Sequence, residues 1–292
     1  MSDVTPAQAD SAVAKSPRFN PMLLPLGVQL AMVWMLICLG LILVLPLIVS
    51  LDVNAISLTA RLQPPVFFGG TLDHALGTDD LGRDVLARLI ASLQTSLSIA
   101  LAATVISATL GTLIGVVSAH FGGWIDQFIV AAVDAQVSVP FIIISLTLTA
   151  IFGNNFLLFI FILGLFGWER YTRLARAMTL ASKGRGYVLA MRTLGFPWRR
   201  IYLRHVLPNI ASSLLVTATI TFPEVILLET SLSFLGLGIQ PPMTSLGNML
   251  GFGRSYLLTG WWIAVAPALV IFLCALAVSI IGDWARSVIS RI

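Results

Sequence analysis

The chain has 292 residues, 58% of them hydrophobic and only 10% charged, with a mean hydropathy of +0.96 and a net charge of +4. Soluble domains run at about 45–50% apolar and about 25% charged, so this chain lacks the charge needed to cover a water-facing surface. That excludes a soluble core with a polar shell and points to an all-α, polytopic membrane protein, whose basic excess bears on topology rather than on nucleic-acid binding.

Residues 1–21 are polar and rich in small side chains, with Lys15 and Arg18 before the first apolar run. They read as a disordered cytoplasmic tail. The run from Met22 to about Ser50 is too long for a signal-peptide core and has no evident cleavage site, so it reads as a retained span. Six spans are expected, at about 22–50, 94–119, 125–152, 154–172, 209–236 and 261–282, within a transmembrane domain at 22–292. Gly111 and Gly115 allow close packing of the second span. Pro140 interrupts the third, and Pro223 weakens the fifth. Cys38 and Cys274 both lie in apolar runs and read as buried free thiols.

Thirteen of the 17 Lys and Arg residues fall in the N-terminal tail, between spans four and five, or after span six. Only Arg61, Arg83, Arg88 and Arg254 fall on the other side. The positive-inside rule then places both termini in the cytoplasm. The opposite side receives loops at 51–93 and 237–260. Thr78–Asp84 reads as a helix start with Thr78 or Asp79 as N-cap. Contact with a solute or an external partner is the competing reading. Met249, Leu250, Phe252 and Leu257 suggest a short amphipathic helix along the outer surface. Trp261–Trp262, and Trp198 on the inner face, suit interfacial anchoring.

The stretch GYVLAMRTLGFPWRRIYLRHVLPN, residues 186–209, is basic and has no acid. It predicts a helix over Gly186–Leu194 stopped by Gly195, then a second, amphipathic helix opened by Pro197 and broken by Pro208–Asn209. Such an elbow serves either as a lipid-headgroup contact or, with Tyr187, Val188 and Ala190 on a small knob, as a plug for a groove in another protein.

Chemistry-bearing patterns are scarce. There is no GxxxxGK[ST] phosphate cradle, no HExxH, no GxSxG and no clustered Cys/His set. No catalytic residue and no metal ligand is expected, and His74, His120 and His205 stand far apart. Asp134, Glu224 and Glu229 lie at membrane depth, where acids are costly and face protein or water. Each is read either as a pathway residue or as an interhelical hydrogen-bonding group. Glu224 and Glu229 are five residues apart, about 140° around a helix, so they do not share a face.

The 186–209 stretch resembles the cytoplasmic loop of bacterial ABC importer permeases, with Ala190, Gly195 and Leu207–Pro208 at the family spacing. Leu189 stands where that loop has glutamate, and Met191 where it has its second alanine. HALGTDDLGRDVLARLIASLQTSL (74–97), FGGWIDQFIVAAVDAQVSVP (121–140), SFLGLGIQPPMTSLGNML (233–250) and GDWAR (282–286) are similar to the C-type permease of dipeptide, oligopeptide and nickel importers. Ala131 replaces a usual arginine and Leu246 a usual tryptophan.

The resemblance implies the type I importer permease fold and half of a translocation pathway for peptides or a related small solute. It implies a coupling loop at 173–208, in which Tyr187, Val188, Ala190, Arg192, Leu194 and Gly195 meet an ATPase. It implies as partners a homologous second permease, two ABC ATPase subunits that hold ATP and Mg, an extracytoplasmic solute-binding protein and lipid of the bacterial inner membrane. No cofactor in this chain and no nucleic acid are expected. A stand-alone secondary transporter or channel is the rival, but no convincing inverted repeat supports it.

Overall fold

The computed structural model describes residues 24–44 and 53–289. The tail at 1–21, with Lys15 and Arg18, the two ends of the first expected span, and Arg291 lie outside the described residues. Among the described residues there is no strand, only a bridge between Thr78 and Asp84. The helices are α1 (Leu26–Leu43), α2 (Val85–Phe121), α3 (Gly123–Ser138), α4 (Phe141–Phe152), α5 (Phe156–Gly164), α6 (Trp168–Lys183), α7 (Gly186–Thr193), α8 (Trp198–Ile201), α9 (Leu207–Phe234), α10 (Leu246–Gly253) and α11 (Trp262–Ile289).

Four helical runs are long and apolar enough to cross a bilayer: α1, α2, the continuous run Trp198–Phe234, and α11. The pair α3–α4, bent by 93° at the break before Phe141, is long and apolar enough only when its two helices are taken together. The break falls at Pro140, as the sequence predicts, because proline has no N–H to continue the ladder. The expected fourth span is not one helix. Nine-residue α5 ends at Gly164, and polar α6 begins only after Gly167, which is left-handed at φ 81°. The freed carbonyl of Phe166 accepts a hydrogen bond from Ser107 Oγ at 2.8 Å, so the interruption leaves no buried orphan there.

The chain between Asn154 and Lys183 nevertheless runs from one end of the molecule to the other. Asn154 Nδ2 donates to the carbonyls of Leu237 and Gly238, beyond the end of α9. Lys183 Nζ donates to Ala119 O and His120 O, at the last turn of α2. The six expected spans thus resolve into four long helical runs, one pair bent at Pro140 and one interrupted traverse.

Helix α2 organises the bundle. Its 37 residues span about 55 Å, well beyond a hydrocarbon core of about 30 Å. Asp84 caps it, accepting from Ala87 N at 2.8 Å. Its Gly111 and Gly115 face α6 so closely that a Cβ at Gly111 would lie 2.3 Å from Trp168 O, and one at Gly115 2.5 Å from Thr172 O. Close small-residue packing at these two positions is what the sequence predicts.

Two apolar clusters result. The larger joins α2, α5, α9, α10 and α11 through Ile99, Leu163, Ile226, Leu246 and Ile263, and includes Cys38 and Cys274, free and buried with Sγ atoms 3.9 Å apart. The smaller gathers Ala175, Val188, Ile201, Tyr202, Val206 and Ile210 at the opposite end, below the elbow. Large apolar side chains cover much of the outside, including Leu30, Leu36, Phe128 and Phe272. Such a surface is stable against lipid or protein, not water.

At the loop end the structure differs from expectation in three ways. The N-cap of α2 is Asp84, not Thr78 or Asp79. Thr78 is buried, donating to Ala60 O and accepting from Gln63 N, while Asp79 gathers Leu81 N, Arg83 N, Arg83 Nε and Arg88 Nη1 at 2.7–3.0 Å. The charges therefore fold the loop on itself. Trp262 is not free to sit in an interface, because its indole N–H donates to Thr78 O at 3.0 Å and its ring is buried. Only Trp261 remains partly exposed, edge-on to Phe68. Finally, α10 is packed along one face, with Phe252 on the exposed side. Gly247 and Gly253 let it press against α9 and α11, which buries Met249.

Candidate functional site

The elbow forms as predicted at its first joint. Gly195 sits at φ 80°, with its N–H on Arg192 O at 3.0 Å and the next N–H, of Phe196, on Met191 O at 3.1 Å. These two bonds satisfy the last carbonyls of α7 in a Schellman closure, which a side chain at 195 would strain. The second joint differs. Pro208 does not break the chain from the following span. Residues Tyr202–Val206 form a π-helical turn in which Leu207 N bonds to Tyr202 O, five residues back. The wider turn makes room for the proline ring and removes the need for its missing N–H. So α8 and α9 form one rod from Trp198 to Phe234, and the elbow has one hinge, not two.

Five of the six elbow residues singled out by sequence are exposed: Tyr187, Ala190, Arg192, Leu194 and Gly195, with Leu194 at 75%. Val188 is not on that surface. It is 1% exposed and packs into the small cluster with Ile201 and Val206, because it occupies the face of α7 turned toward the rod. Trp198 is likewise no lipid anchor. It stacks on Tyr202 at 5.3 Å, edge-on to His120 at 5.5 Å, with the Arg192 guanidinium 4.3 Å above its ring.

The three membrane acids separate into two kinds. Glu229 is fully buried, accepting from Ser96 Oγ at 3.2 Å and Ser233 Oγ at 2.8 Å. Ser96 in turn accepts from Leu246 N at 3.0 Å, so the group ties α9 to α2 and α10. Full burial and these bonds favour its reading as an interhelical hydrogen-bonding group. Asp134 and Glu224 are instead half-exposed and paired. Arg173 Nη2 meets Asp134 Oδ1 at 2.8 Å, and Arg170 Nη1 meets Glu224 Oε2 at 2.6 Å. Glu224 also lines a groove of roughly 620 Å³ between α9 and α11, whose walls include Phe272, Leu276, Asp283 and Arg286. The angular separation of Glu224 and Glu229 is therefore realised as one residue in the groove and one in the core.

Sequence reasoning missed the arginine partners. Arg170, Arg173 and Arg176 step along α6 at intervals of three and engage Glu224 of α9, Asp134 of α3 and Asp126 of α3. The Arg176–Asp126 pair is bidentate, at 2.5 and 2.6 Å. The signal was present: three evenly spaced guanidiniums beside an apolar run need acids nearby. Counting them only as topology markers hid it.

The architecture and the paired charges together define a polytopic helical membrane protein with a polar seam along α6. Comparison with known proteins gives the family. Residues 111–291 match the model of the binding-protein-dependent transport system inner membrane component. A putative peptide transport system permease protein of Brucella suis is 38% identical over 236 residues, covering 81% of this chain and 78% of the relative. An oligopeptide transport system permease protein of Mycobacterium tuberculosis is 36% identical over 244 residues, covering 83% and 82%. A di/tripeptide transport system permease protein of Pseudomonas aeruginosa is 36% identical over 226 residues, covering 77% and 75%. The fold is similar to that of a chain of the MetNI methionine ABC transporter solved in inward-facing conformations, with a TM-score of 0.53 at 19% identity, covering 69% of this chain and 96% of that one. The chain belongs to the family of inner membrane components of binding-protein-dependent transport systems.

Proposed function

We propose that this permease forms half of a pathway for peptides, driven by ATP hydrolysis in separate subunits. The observation that carries this reading is the pair of half-exposed ion pairs, Arg170–Glu224 and Arg173–Asp134, on an otherwise apolar surface. Glu224 lies ten residues before the end of α9, about 15 Å into the span. Charges at that depth face water or another polypeptide, not acyl chains. A homologous second permease across this face would enclose a polar passage. Peptides carry an ammonium and a carboxylate, and alternating acids and guanidiniums complement both. The names of the peptide-transport relatives support the same solute class.

The remaining parts follow. The elbow, with Tyr187, Ala190, Arg192, Leu194 and Gly195 outward, serves as the seat of an ATPase subunit. ATP and Mg belong to two such subunits and not to this chain. The loop end receives solute from an extracytoplasmic binding protein, and the inner membrane surrounds the apolar faces. Both termini and the elbow lie in the cytoplasm, a reading that the distribution of basic residues supports.

The test is reconstitution of the chain with its co-encoded permease, ATPases and binding protein in liposomes. Peptide uptake is expected only with ATP and the binding protein together. Uptake driven by a proton gradient through this chain alone would establish the secondary-transporter reading instead.

A further inference from the structure

At the elbow end four helices converge on one cluster of side chains that the reading above leaves unused. His120 closes α2, Lys183 closes α6, Arg192 closes α7, and Trp198 and Tyr202 open the rod that becomes α9. His120 Nδ1 lies 2.9 Å from Tyr202 Oη. The Trp198 ring is flanked by the Tyr202 ring at 5.3 Å, the Arg192 guanidinium at 4.3 Å and Lys183 Nζ at 5.4 Å. Lys183 also holds the last carbonyls of α2. Every one of these contacts joins two different helices, apart from the Trp198–Tyr202 stack, which stiffens the start of the rod.

The geometry is that of a clamp around a single indole. Without it, α7 would be attached to the body by the Gly195 hinge, by the tight link to α6 and by Val188 and Met191 in the small cluster. A push on α7 would then swing the hinge. With Arg192 on Trp198, a push on α7 displaces the rod, and through His120 and Lys183 also displaces α2 and α6. Helix α2 runs on to the loop end, where Asp84 caps it and Arg88 is fastened to Asp79. The cluster therefore ties the elbow to the α6 arginine seam and, along one unbroken helix, to the loop that folds around Asp79.

We propose that Trp198, with Arg192, His120, Tyr202 and Lys183, is the positioning clamp that makes α2, α6, α7 and the α8–α9 rod move as one body when the elbow is driven. The inference rests on the reading of the elbow as an ATPase seat. Its measure is the number of peptides taken up per ATP hydrolysed, not uptake alone.

In the reconstituted complex, Trp198→Ala is expected to keep ATP hydrolysis within about twofold of the parent while the uptake-to-hydrolysis ratio falls about fivefold, the effect of losing the Trp198–Tyr202 stack together with the partly exposed Arg192 cation–π contact. Trp198→Tyr, which keeps a ring for Arg192, is expected to recover most of the ratio. Tyr202→Phe removes only the hydroxyl bonded to His120 and should lower the ratio by about twofold to fivefold, so it remains decisive if Trp198→Ala fails to assemble. An unchanged ratio in Tyr202→Phe overturns the clamp, as does an unchanged ratio in Trp198→Ala where that variant assembles. Absence of ATP-dependent uptake in the parent complex would instead overturn the transport reading, so the two failures are distinguishable.

Discussion

Glu229 shows how a single acid at membrane depth is accommodated by hydrogen bonding. It is 0% exposed, and its two oxygens are engaged by Ser96 of α2 across the helix interface and by Ser233 within α9. Interhelical hydrogen bonds of this kind contribute about 0.6 kcal/mol on average in membranes, and leaving partners buried and unpaired adds to the loss. Glu229→Ala is therefore expected to destabilise the protein by about 1–3 kcal/mol, while Glu229→Gln, which keeps an acceptor, costs less. Thermal unfolding in detergent measures this, as a midpoint lowered by a few degrees for alanine and by less for glutamine. Equal midpoints for Glu229→Ala and the parent would show that the serines do not depend on the acid. Glu224 differs in kind. Its partner Arg170 and its groove are both open, so substitution there is expected to act on transport rather than on unfolding.

Among the elements, the elbow depends on one backbone position. Gly195 has φ 80° and donates to Arg192 O, so proline there both demands a forbidden φ and removes a used donor. Gly195→Pro is expected to abolish uptake while membrane insertion, read by the amount of chain in the membrane fraction, stays at the parent level. Normal uptake in that variant would remove the elbow from the transport cycle. Features of this type were legible in the sequence because local chemistry sets them. Gly195 stops a helix, Pro140 breaks one, and Gly111 with Gly115 admits a close neighbour, whatever the rest of the chain does. The parts that were not legible depend on distant groups. Pro208 signals a break, yet the π-turn at Tyr202–Val206 absorbs it. Trp262 and Trp198 look like bilayer anchors until Thr78 O and the Arg192 guanidinium are found beside them. The α6 arginines paired with acids 39 to 54 residues away, which spacing along one helix does not identify.

The whole molecule is a body with two dissimilar ends joined by α2. One end is a loop folded around the buried carboxylate of Asp79, and beside it Tyr256 donates to Asp80 at 3.0 Å, which holds the tyrosine hydroxyl above its ordinary pKa. The other end is basic, hinged and outwardly apolar at Leu194. Lys and Arg near the span ends favour the cytoplasm for the second end, and on the proposed reading force would be applied there and solute would enter from the loop end. Two exposed leucines report it directly. Leu258, at the loop end, is 102% exposed, and Leu194, on the elbow, is 75% exposed. The native Cys38 and Cys274 are buried and should contribute little background. In right-side-out inner-membrane vesicles an impermeant maleimide is expected to label Leu258→Cys readily, and Leu194→Cys only after the membrane is opened. Labelling of Leu194→Cys should then fall when the co-encoded ATPase subunits are present, because an occupied seat covers the leucine. Labelling of Leu194→Cys in sealed vesicles would invert the topology. Undiminished labelling with the ATPases bound would place their contact away from α7.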